Sequence, residues 1–143
     1  MPSLTFSITS LGLELPVLLG VDQVAMHKLQ AAATPIPRPV AASALVDTGT
    51  DMTCIDSALL QQIGATKTGS GSTQTVSGQQ AIQLFRVSLS IPSHHAGMFV
   101  IPSLRVMELP VSIPKVDVLF GMDLLSQLRV VIDGPRGTFE IHY

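Results

Sequence analysis

Residues 4–9 read Leu-Thr-Phe-Ser-Ile-Thr, with apolar and polar side chains alternating along the run. A period of two sends successive side chains to opposite faces, which marks a half-buried strand and argues against a helix. The same period returns over residues 81–91, where Ile82, Leu84, Val87, Leu89 and Ile91 form the apolar set and Phe85 falls out of phase. Gly12 marks a turn, and residues 13–19 read as a second strand that would complete a hairpin with the first. Residues 40–46, 52–55 and 98–101 are further short strands. Residues 116–120 are nearly continuously apolar and read as a buried central strand. Residues 128–132 and 137–141 flank Asp133-Gly134-Pro135-Arg136, which is hairpin-turn chemistry.

Helical signals are few. Asp22 can cap a short helix carrying Val24, Ala25, Met26, Leu29 and Ala32. Asp56 can cap residues 57–63, and Gly64 can close them in the left-handed conformation. Residues 121–125 suit one further turn. In Thr34-Pro35-Ile36-Pro37-Arg38-Pro39 the prolines remove donors and fix the backbone, so this is an extended connector. The expected architecture is mainly β with two or three short helices, and no internal repeat is visible.

At 143 residues the chain fits one domain, 1–143. Within it, 1–39 would hold a hairpin, a short helix and the Pro-rich connector, and 40–143 would hold the core. Apolar residues make up 46%, and the mean hydropathy of +0.46 is high for a soluble monomer. Some of that surplus can be buried between subunits. Charged residues are 13%, the net charge is -2 and aromatics are 4%. That composition supplies neither a basic stripe nor stacking platforms, so nucleic acid is not an expected partner. No uninterrupted apolar run approaches the ~20 residues needed to cross a bilayer, and no membrane association is expected. The apolar start lacks a basic n-region and is interrupted by Glu14 and Pro16. The single cysteine, Cys54, excludes an internal disulfide framework. These features together read as a soluble cytoplasmic protein.

Chemistry concentrates in Ala44-Leu45-Val46-Asp47-Thr48-Gly49-Thr50-Asp51. An apolar strand delivers a carboxylate into a tight turn, Thr48 adds a hydroxyl, and Gly49 permits close backbone approach. Hydrolysing a peptide without a metal needs one group to activate water and another to protonate the products. Two carboxylates in contact can divide those tasks because they cannot both ionise and so share one proton. Their titration then belongs to the pair. The triplet alone is weak, since Asp-Gly turns are common. A Gly-, Ser- and Thr-rich stretch at 66–80, which includes Gly69, Ser70 and Gly71, adds to it. So does Val118-Leu119-Phe120-Gly121-Met122-Asp123-Leu124-Leu125, a buried strand followed by a glycine and a short helix.

That order of parts resembles the retropepsin family of single-domain aspartic proteases, in its cellular and bacterial branch, over roughly residues 40–143. The resemblance implies a closed acid-protease barrel and aspartic endopeptidase activity on extended peptide or protein substrates, with no cofactor. It implies that Asp47 is the catalytic carboxylate. Thr48 would lock two active-site loops together, Gly49 would line the substrate channel, and Thr50 would support the loop. Asp51 would meet substrate, with Gly69, Ser70 and Gly71 in a flap over it. Gly121 and Asp123 would be structural. Retroviral members carry an Arg after the glycine matched by Gly121 and pair it with the acid matched by Asp51; here Met122 stands there. Only one Asp-Thr-Gly occurs, so a homodimer must supply the second carboxylate, and closed two-fold dimers are the commonest oligomers.

The rival for the whole chain is a catalytically silent peptide-binding or oligomerisation module on the same fold. Asp133, in Ile132-Asp133-Gly134, lacks the neighbouring hydroxyl and sits in a turn. Cys54 reads as a small buried hydrophobe. His94-His95 reads as a solvated loop, and no metal motif is present. Gly69-Ser70-Gly71 lacks the Lys-Ser/Thr of a phosphate loop. A hydroxyl on Thr50 is expected to donate to Asp47 and lower the working pH of the pair.

Overall fold

The computed structural model describes residues 1–94 and 97–143. In chain order its elements are β1 (Ser3–Ser7), β2 (Glu14–Val21), α1 (Gln23–Ala31), β3 (Val40–Val46), β4 (Cys54–Ile55), α2 (Ser57–Ile63), β5 (Thr66–Thr75), β6 (Gly78–Ile91), β7 (Phe99–Glu108), β8 (Val118–Phe120), α3 (Met122–Leu125), β9 (Arg129–Asp133) and β10 (Thr138–His142). The fold is mainly β with three short helices. Among the described residues no helix is long and apolar enough to cross a membrane. His95 of the His94-His95 pair lies outside the described residues, and His94 is exposed.

Seven strands run in the order β2-β3-β8-β4-β7-β6-β5, and β2 also pairs with β6. That extra pairing closes six of them into a barrel and leaves β5 as an outer strand on β6. The interior is filled as the alternation predicts. Leu15, Val17, Leu19 and Val21 point inward from β2, and Val87, Leu89 and Ile91 from β6, each at most 4% exposed. The β6–β7 register shifts between Val87 and Leu89, whose partners are Leu104 and Ile101. Two steps on β6 therefore face three on β7, a bulge that falls at Pro102, where a missing backbone donor is tolerated. The sequence reading ends this strand at Ile101, whereas β7 continues through Pro102 to Glu108.

The N-terminal hairpin expected from Gly12 is not formed. β1 pairs with β10, which pairs in turn with β9, giving a separate three-stranded sheet. β2 pairs instead with β3 and β6. Alternation fixes which face of a strand is apolar, not which strand it meets. Here the barrel and the C-terminal hairpin each draw one N-terminal strand. The helix signals are realised. Asp22 accepts from the Val24 and Ala25 amides at 3.2 and 3.3 Å. Asp56 caps α2, and Gly64 closes it at φ +73°, a conformation that suits a residue without Cβ.

β8 lies at the centre of the functional half. It runs parallel to β3, with Ala44, Leu45 and Val46 opposite Val118, Leu119 and Phe120, and antiparallel to β4. Val118 and Phe120 are fully buried. This pairing carries the chain after Val46 and the chain after Phe120 to the same end of the barrel.

Candidate active site

Asp47 is the first residue beyond β3, and its amide donates to the Phe120 carbonyl at 3.0 Å. The loop then turns on the carboxylate itself, because the Gly49 amide donates to Asp47 Oδ1 at 2.8 Å. Asp47 is half-buried, while Thr48, Gly49 and Asp51 are exposed. The acid is thus held by β8 beneath it and presented to solvent above.

A second support comes from α3. The first amides of a helix have no intrahelical partner, and here they serve the loop. Met122 N–H donates to the Thr50 carbonyl at 2.8 Å and Asp123 N–H to the Asp51 carbonyl at 3.0 Å. The Asp123 carboxylate reaches back to Thr53, accepting its amide at 3.0 Å on both oxygens and its hydroxyl at 2.7 Å. It also accepts the Leu124 amide at 2.9 Å. Thr53 is fully buried, and its hydroxyl accepts the Gly121 amide at 3.1 Å. A Cβ on Gly121 would sit 2.8 Å from Met52 C and 2.9 Å from Thr53 N, both backbone atoms. Only glycine lets the two loops approach this closely. Thr53 is the residue that sequence reading missed. Its one visible signal is a hydroxyl amino acid at the entrance of a buried strand.

Thr50 differs from expectation. Its hydroxyl donates to the Met52 carbonyl at 3.0 Å and lies 3.8 Å from Cys54 Sγ. A hydroxyl has one proton, and this one is committed to the loop backbone and not to Asp47. Thr50 therefore stiffens the turn, and its expected donation to the carboxylate is corrected. Cys54 is 2% exposed, and its thiol donates to the same Met52 carbonyl at 3.3 Å. Burial pushes the thiol pKa up; the Thr50 contact opposes this, and the negative charges of Asp123 and Asp47 add to it. A neutral, buried thiol is no nucleophile.

Above the loop, β5 and β6 form a long polar hairpin whose tip carries the fully exposed Val76. Between hairpin and loop lies a cleft of about 670 Å³. Its floor is Gly49, Thr50, Asp51, Met52 and Cys54; residues 71–75 roof it; Ile82, Leu84, Met107 and Leu119 give it apolar walls. Gly71 belongs to this lining, whereas Gly69 and Ser70 do not: they lie lower on β5, opposite Leu84 and Gln83. The cleft contacts thus sit nearer the hairpin tip than the sequence suggests. Asp51 has no ion-pair partner among the described residues, in keeping with Met122 in place of an arginine. Among the described residues no group of three or more His, Cys, Asp or Glu gathers as a metal-ligand set.

The family model described as "gag-polyprotein putative aspartyl protease" matches residues 38–127, a span that includes the acid loop, the hairpin and α3. Among solved structures, a retropepsin-like aspartic protease from Rickettsia conorii matches with a TM-score of 0.62 at 15% identity, covering 99% of this chain and 91% of that one. It shows the same fold. The simian foamy virus (mac) protease aligns with a TM-score of 0.43 at 14% identity, over 60% of this chain and 81% of that one. No curated protein matches the chain.

Proposed function

Since the chain belongs to the gag-polyprotein aspartyl protease family, we propose that it is an aspartic endopeptidase whose site is completed when two copies pair. The observation that carries this reading is the Asp47 loop. A solvent-facing carboxylate is clamped by β8 and α3 beside a cleft, and the chain contains one such loop. In the dimer the two Asp47 carboxylates share one proton, because like charges in contact cannot both ionise. The ionised member takes a proton from the bound water as its oxygen attacks the peptide carbonyl. The protonated member donates to the carbonyl oxygen, and a proton then passes to the leaving amine.

An extended peptide would lie between the hairpin and the floor, its main chain supplying much of the binding. Gly49 and Asp51 line that floor, and the hairpin would close to exclude water. Thr48 Oγ1 has no partner within the described residues, which leaves it for the second copy. A cytoplasmic setting fits a chain whose one cysteine is a buried free thiol.

The test uses a pepstatin-type inhibitor and an unstructured protein substrate. The wild type should be thermally protected by the inhibitor and should cleave the substrate. Asp47→Asn should lose cleavage by a factor of at least about 10²–10⁴, the usual contribution of a positioned acid–base group, and lose the protection. Equal cleavage by Asp47→Asn would defeat the proposal, and inhibitor-indifferent inactivity of the wild type would point to the silent binding module.

A further inference from the structure

Strands β6 and β7 carry a like-charge pair. Arg86 lies directly opposite Arg105 in their antiparallel register. Cα atoms paired in this way stand about 4.5–5.5 Å apart, and like charges so placed repel. Nothing among the described residues relieves them. The ion pairs found there join Arg136 to Asp133 and His142 to Glu140. Glu108, farther along β7, is turned to the Gln83 amide at 3.0 Å. On its other side Arg86 has Thr66 of β5 as its neighbour. Arg105 is exposed and Arg86 half-buried, so a ligand can reach both.

The pair continues the wall of the cleft. The register runs unbroken from Leu84 opposite Met107 to Arg86 opposite Arg105, and residues two apart on a strand share a face. Leu84 and Met107 line the cleft. Val87, Leu104 and Val106, of the opposite phase, are buried, so the arginines are on the outer face with Leu84 and Met107. They form the next row of the wall, about 6–7 Å farther from the hairpin tip. An extended peptide has the same repeat, since its side chains two residues apart project the same way at that spacing. A peptide with an apolar residue against Leu84 and Met107 therefore presents its next same-side residue to the two guanidiniums.

We propose that Arg86 and Arg105 form an acid-recognising subsite of the cleft, which selects an Asp or Glu two residues away from an apolar side chain seated against Leu84 and Met107. This rests on the reading of the cleft as a peptide site, and it names the substrates favoured there: extended segments with an acid close to an apolar residue. A carboxylate suits the pair because guanidiniums offer it matched N–H donors and its charge offsets their repulsion. In a symmetric pair of copies the subsite occurs once at each end, so the acid is recognised on either side of the cleaved bond.

The test is a series of unstructured peptides that share a central apolar run and carry a single Glu or Gln at each flanking position in turn. Cleavage is read as kcat/KM with the wild type, and binding as Kd by fluorescence anisotropy with Asp47→Asn. At one spacing Glu should surpass Gln about tenfold in both, the worth of roughly one charge-assisted hydrogen bond, and the advantage should shrink as salt is raised. Arg86→Gln and Arg105→Gln should each bring the Glu-to-Gln ratio toward one, and Arg105→Glu should prefer Lys to Gln at that spacing. Equal Glu and Gln values at every position, in cleavage and in binding, overturn the subsite; cleavage of the Gln peptides in that case leaves the peptidase reading standing. A Glu preference that survives both arginine substitutions overturns it as well. A Glu preference in binding that either substitution removes, with no peptide cleaved, upholds the subsite and removes the peptidase reading.

Discussion

Replacing Asp123 by alanine should destabilise the protein by about 2–6 kcal/mol, and the figure follows from what Thr53 loses. Its amide and hydroxyl both end on the Asp123 carboxylate, and Thr53 has no access to water in compensation. An orphaned buried donor costs about 1–3 kcal/mol, so two cost roughly twice that, a large share of a stability of about 5–15 kcal/mol. In a chain of this size the melting temperature should fall by about 10 °C or more. Asp123→Asn keeps one acceptor oxygen and should fall between alanine and the wild type. The assay is urea unfolding at one fixed protein concentration, since self-association shifts apparent stability. A double-mutant cycle with Thr53→Val separates the contact from bystander effects: alanine at 123 should cost at least 0.5 kcal/mol less when the hydroxyl is already gone. An Asp123→Ala midpoint within about 0.5 kcal/mol of the wild type, at unchanged slope, would refute the reasoning. So would strict additivity with Thr53→Val.

Other outcomes follow from the same contacts. Gly121→Ala should cost at least about 1–3 kcal/mol by overpacking, because the atoms it meets are backbone; a thermal melt equal to the wild type would show that the Met52–Thr53 peptide can yield. Cys54 should react with an aromatic disulfide reagent far more slowly in the native protein than in denaturant, since burial both shields the thiol and raises its pKa; rapid native modification would contradict this. The Glu14 carboxylate accepts the Ser43 hydroxyl at 2.6 Å and the Thr9 hydroxyl at 2.9 Å, and these bonds lower its pKa. Its stabilising effect is therefore present above the unfolded-state pKa and lost as pH falls through the lower folded value. The urea midpoints of wild type and Glu14→Gln should differ near neutral pH and converge in acid; divergence in acid would reverse the sign.

The acid loop was legible in the sequence because its chemistry is local. An apolar strand, a carboxylate and a glycine within a few residues suffice to mark it, as Asp56 and Gly64 suffice to bound α2. What was not legible depends on partners far along the chain. Nothing in residues 4–9 says that they meet residues 138–142 and not 14–21. Nothing in Thr50 says that its hydroxyl turns to Met52, two residues on, and away from Asp47. Thr53 and Asp123 are 70 positions apart, and their bond exists because β8 passes between β3 and β4. β7 runs on through Pro102 past the expected end at Ile101, because a bulge there accommodates the missing donor.

Within the chain the Asp47 loop is held by the Asp47 amide on the Phe120 carbonyl, the Gly49 amide on the Asp47 carboxylate, the Met122 and Asp123 amides on the Thr50 and Asp51 carbonyls, and the Thr53 amide on the Asp123 carboxylate. None of these bonds needs a residue from a partner. Association between preformed surfaces avoids much of the ordering cost that opposes binding, so in the dimer proposed above the second copy would supply chiefly a carboxylate. Changes at Gly121, Thr53 or Asp123 act within a protomer and should lower the melting temperature whatever the protein concentration. A strut variant whose activity is recovered by concentration alone would show that the loop is shaped by the dimer and not by the chain.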